Sequence, residues 1–158
     1  MMRALSPLFP LIALLLAGHA LHAQPGGPSA EELQRAYMEY LAEEGYRPEL
    51  DGDGDVQFKA EGKTYFIDVE ADDPAYFRVV LPNIWAIEDE DERLRVLVAC
   101  DHANATAKVA KTYVVRDNVW VGIEVFLAAP DDFKRIFARS MSALGTGTSL
   151  FVKKMQED

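Results

Sequence analysis

The sequence predicts an α+β fold: an antiparallel sheet of about five strands with helices packed on it, in the order helix, strand meander, helix, hairpin, helix. Two observations carry this. Capping signals open segments whose apolar residues recur at helical spacing. Between them lie runs of period two, grouped together and joined by short polar turns, which is the pattern of strands that pair with their chain neighbours.

The first helix begins at Ser29-x-x-Glu32, a capping box, and Leu33, Ala36, Tyr37, Tyr40 and Leu41 line one face of it. Gly45 supplies its stop. Val56, Phe58 and Ala60 then alternate with polar residues, Glu61-Gly62-Lys63 turns the chain, and Tyr65, Ile67 and Val69 form the returning strand. After the turn at Asp72-Asp73-Pro74, Phe77, Val79 and Leu81 continue the alternation to Pro82, which cannot donate to a ladder and so ends or bends the strand. Asp89-x-x-Glu92 opens a second helix that runs to about Asn104 or Ala107. Residues 109–115 and 119–127 flank Arg116-Asp117-Asn118 as a hairpin. Pro130 with Asp131 and Asp132 starts the last helix, on which Phe133, Ile136, Phe137, Ser140, Met141 and Leu144 share a face. Gly145-Thr146-Gly147 is expected to break it, leaving residues 149–156 one further helical turn or two.

Ahead of this domain, Arg3, the apolar run of residues 8–17 and the small residues around His19 to Ala23 have the layout of a secretory signal peptide. The run is about half of the roughly 20 apolar residues that a membrane helix needs, and Pro10 interrupts it. Cleavage between Ala23 and Gln24 is expected, with a cut after Ala20 as the other site that small residues allow. No cysteine lies near either cut to take a lipid. The chain thus divides into a leader (1–23), a Pro/Gly-rich flexible spacer (24–29) and one domain (30–158), working in the periplasm or secreted without stable membrane insertion.

The 158 residues hold 16 basic and 26 acidic side chains, and loss of Arg3 with the leader leaves 15 against 26, a net charge of −11. So acidic a domain is a poor partner for nucleic acid, which rewards basic patches. Lys134, Arg135 and Arg139 have the spacing of the solvated side of a helix. Cys100 is the sole cysteine, so no internal disulfide forms.

No motif for catalysis or for a cofactor emerges. Asp51-Gly52-Asp53-Gly54-Asp55 starts like a calcium loop, but the sixth position is Val56 rather than glycine and the twelfth is Gly62 rather than glutamate, so a turn is expected and no metal site. Cys100 and His102 point about 200° apart on a helix and cannot act as nucleophile and base; Cys100 reads as a small core residue. Asp68 and Glu124 could face each other across the sheet, yet their neighbours mark no cleft. Trp85 and Trp120 read as core or sheet aromatics.

The segment from Leu97 to Val115, with a helix ending at Asn104, then Ala107-Lys108-Val109-Ala110-Lys111 and a strand pair, has further company. Together with Leu41-x-x-x-Gly45-Tyr46 and Asp53-Gly54-Asp55-Val56-x-Phe58 it resembles the YbjN family of bacterial proteins, over about residues 31–144. The resemblance implies a fold similar to type III secretion chaperones and a role as a sensory transduction regulator, and it brings no catalytic residue; Asn104 falls where a helix C-terminal cap is expected. The leader sets this chain apart from a cytoplasmic regulator.

The function expected is a noncatalytic, exported protein-binding or regulatory module, the alternative being a cell-envelope hydrolase that uses carboxylates. For a protein partner or a homodimer, the candidate interface is Leu94, Val98 and Ala105 on the second helix. These lie opposite the face of Val96, Leu97, Cys100, Ala103 and Ala107 expected to pack inward, and either a partner or the chain's own residues 133–155 would cover them.

Overall fold

The computed structural model describes residues 27–157. The leader, its cleavage site and residues 24–26 of the spacer lie outside the described residues.

Helix α1 (Ala30–Glu43) starts on the expected capping box, with the Ser29 hydroxyl accepting from the Glu32 amide and the Glu32 carboxylate accepting from the Ser29 amide. At its other end Gly45 takes φ +89°, and Gly45 and Tyr46 donate their amides to the carbonyls of Ala42 and Leu41. That pair of bonds satisfies carbonyls the helix would leave open.

Six antiparallel strands follow in the order β1-β2-β3-β4-β6-β5: β1 (Glu49–Leu50), β2 (Val56–Ala60), β3 (Lys63–Ile67), β4 (Tyr76–Ala86), β5 (Lys111–Val115) and β6 (Asn118–Phe126). The strand beyond the five expected is β1, too short to show a period. Glu61 and Gly62, both at positive φ, close the β2–β3 hairpin. Pro82 bends β4 without ending it: the register shifts between Leu81 and Trp85, Asn83 takes φ 55°, and the strand resumes to Ala86.

Helix α2 (Glu90–Thr106) is capped by Asp89, and a short 3-10 turn (Pro130–Asp132) leads into α3 (Phe133–Glu157). The expected break at Gly145-Thr146-Gly147 does not occur; α3 is one helix of 25 residues. Packing against the sheet outweighs the poor helix propensity of glycine. The hydroxyls of Thr146, Thr148 and Ser149 each donate to the carbonyl four residues back, so these polar side chains are satisfied within the helix. Gly147 itself is buried where a Cβ would stand 2.8 Å from that of Ala110 and 3.1 Å from Cγ1 of Val121, so it is the residue that lets α3 lie down on the sheet.

All three helices cover one face. Leu33, Tyr37 and Leu41 of α1 and Phe133, Phe137 and Leu144 of α3 pack with the alternate strand residues Val56, Phe58, Ile67, Phe77, Val79 and Ile123. Phe151 and Met155, further along α3, pack with Val96, Ala99, Cys100 and Ala103 of α2 and with Val119. This corrects the inward face expected for α2: Ala99 is buried and Leu97 is half exposed, because the contact stripe follows a second helix across small side chains. The other sheet face carries no helix among the described residues, and no helix there is long and apolar enough to cross a membrane.

Candidate functional site

The residues singled out by sequence fall in separate places. Asp51 holds a turn: its carboxylate accepts from the amides of Asp53 and Asp55, and Asp55 in turn accepts from the Val69 amide. Cys100 is buried, and burial pushes its thiol up to about 11, so at neutral pH it is a protonated core group, while His102 is exposed. The interface candidates Leu94 and Val98 are 64% and 57% exposed, Ala105 is exposed, and Leu97 joins them at 50%. Residues 149–155, which could have covered them, pack against the opposite side of α2 instead.

Asp68 and Glu124 do converge, on the uncovered face of the sheet, but Arg78 stands between them. Its guanidinium donates to Asp68 and to the Tyr113 hydroxyl (2.7 Å) and lies 3.5 Å from Glu124, which also pairs with Lys111 at 2.8 Å. Burial disfavours charge on Arg78, yet the bonds to Asp68 and Tyr113 outweigh it and hold the guanidinium above its ordinary range. Burial raises the Asp68 carboxyl, and Arg78 pulls it back. The cluster is a neutralised polar clamp across the sheet. Neither carboxylate is left free to act as a base.

Asn104 is no cap. The α2 C-cap is Ala107, and the Asn104 carboxamide instead donates to the Thr112 carbonyl (2.9 Å) and accepts from the Thr112 amide (2.7 Å). It occupies one outward peptide unit of β5, the edge strand, as a neighbouring strand would.

A further place, a groove, has no counterpart among the residues the sequence singled out. β6 pairs with β4 as far as Phe126 but with β5 only to Gly122, because the chain reaches Lys111 from the helix layer through residues 106–110. The end of β6 is left without a roof. The resulting cavity, about 600 Å³, has Ile123 and Val125 as its floor, residues 106–110 as one wall and α3 from Ile136 to Thr146 as the other. That size falls within the roughly 300–1,000 Å³ of ligand clefts. Its apolar groups include Val109, 59% exposed, and no acidic, histidine or cysteine side chain lines it. Lys108 and Arg139 do, and no ion pair or hydrogen bond engages either side chain among the described residues. In the sequence, residues 109–110 read as the start of a strand and Arg139 as solvated helix surface. The available signal was the run of small residues, Ser140, Ser142 and Ala143, on the wall of α3.

No curated protein matches the chain. Residues 31–136, from the first turn of α1 to the first turn of α3, match the family described as T3SS (YopN, CesT) and YbjN peptide-binding chaperone 1. With more than half of its 158 residues matched, on a fold of one antiparallel sheet and three helices, the chain belongs to that family.

Proposed function

We propose that this chain is an exported, noncatalytic peptide-binding module whose ligand lies in the groove between α3 and residues 106–110. The observation that carries the reading is the groove itself: an apolar cleft, open in the folded chain, with no pair of groups that could transfer a proton. The family description, which names peptide binding and a chaperone, supports the same class. A carboxylate hydrolase finds less support, since Asp68 and Glu124 are tied to Arg78. Export rests on the leader composition, and intact mass of the protein recovered from a bacterial envelope should show a start at Gln24; retention of residues 1–23 would contradict it.

The test is binding of labelled extended peptides with alternating apolar residues to the purified domain, followed by fluorescence anisotropy. Val109→Glu puts a charge on the groove wall at an exposed site and should weaken binding about tenfold while leaving the melting temperature unchanged. Unchanged affinity would place the peptide elsewhere.

The outer face of α2 supports a second reading, self-association. Leu94, Leu97 and Val98 follow i, i+3, i+4 spacing and are all at least half exposed. Leu94→Glu with Val98→Glu should halve the mass seen by light scattering and leave the fold intact; a monomer before and after substitution would reject the interface.

A further inference from the structure

We propose that the groove selects peptides that carry a carboxylate beside their apolar residues, seated by Lys108 and Arg139; this rests on the groove being the peptide site. The domain is strongly acidic, with 26 acidic against 16 basic side chains in the whole chain. Most of its surface therefore repels an acidic ligand. The groove is a local exception: it is lined by two cations and no acid.

The state of those cations is what makes them available. The neighbouring basic groups at the start of α3 are already engaged, Lys134 with Asp131 and Arg135 with Asp132. On α3 the two arginines differ by one turn, Arg135 having an acid three residues before it and Arg139 having Ile136 in that position. Lys108 and Arg139, both exposed at the groove, have no anion to pair with among the described residues. A carboxylate brought in by a ligand would supply one through charge-assisted hydrogen bonds. The apolar floor of Ile123 and Val125 gives affinity, and the two cations give preference and orientation.

The experiment uses the domain from Gln24 onward and three labelled nonapeptides that alternate leucine and serine, identical but for a central glutamate, glutamine or lysine. The glutamate probe should bind about two- to fivefold more tightly than the glutamine probe at about 50 mM salt, and the lysine probe more weakly than both. The preference should collapse in the Lys108→Gln, Arg139→Gln double variant, whose melting temperature should match the parent's, and should shrink at about 300 mM salt. Equal binding of glutamate and glutamine probes overturns the carboxylate preference while leaving peptide binding in place. Binding of none of them overturns both. Dodecanoate binding in the groove, with none of the peptides competing, would make the occupant a fatty acid and also overturns the proposal.

Discussion

Arg78 on β4 ties together three strands and the residue after a fourth, reaching Glu124 on β6, Tyr113 on β5 and Asp68 just past β3. Its partners lie 10 and 35 residues away along the chain for the two hydrogen bonds, so no local pattern could announce the cluster. The turn at Asp51 shows the opposite case, since its carboxylate takes amides only two and four residues on, and it was legible. Burial raises the Asp55 carboxyl above its ordinary value, helped by the charges of Asp68, Asp51 and Asp53 and opposed by the bond from the Val69 amide. A carboxyl raised in the folded state binds its proton more tightly there than when unfolded, so stability falls as pH rises through the carboxylate range. Asp55→Asn keeps an acceptor for the Val69 amide and removes the charge. The variant should melt higher than the parent at about pH 7, with the difference gone by about pH 3, where both forms are neutral at this site. A lower melting temperature at neutral pH would mean that the charge itself holds the turn.

At the scale of elements, the helices whose ends are written in capping residues were legible in the sequence, and those decided by packing were not. Ser29, Glu32, Gly45 and Asp89 act within one turn of themselves, so their spacing suffices. The continuity of α3 depends on what Gly147 faces, and Ala110 and Val121 are remote from it in sequence. The two glycines of α3 should accordingly respond to alanine with opposite signs. Gly145→Ala meets nothing within 4 Å and should gain up to about 1 kcal/mol from helix propensity. Gly147→Ala must push α3 off the sheet and should lose about 1–3 kcal/mol despite the same propensity gain. Urea unfolding of the two variants measures both; equal stabilisation would show that α3 does not depend on close approach at Gly147. The inward face of α2 follows the same logic, with Ala99 displacing Leu97 because α3 as well as the sheet lies against it.

At the scale of the molecule, three helices on one face of a six-stranded sheet leave two different surfaces: a flat one crossed by the Arg78 clamp and a layered one with a gap where β5 starts late. The fold class could be read from strand grouping, but the gap is a difference in length between two paired strands and has no signature in either alone. The exposed side of α2 lies apart from the groove lining, so the two candidate surfaces can be told apart in one measurement. Hydrogen exchange of the domain, free and saturated with the glutamate nonapeptide, tests the account most directly. It predicts slower exchange in residues 106–110, at the end of β6 and along α3 from Ile136 to Thr146, with residues 94–98 unchanged; protection confined to α2, or to the open sheet face, would contradict it.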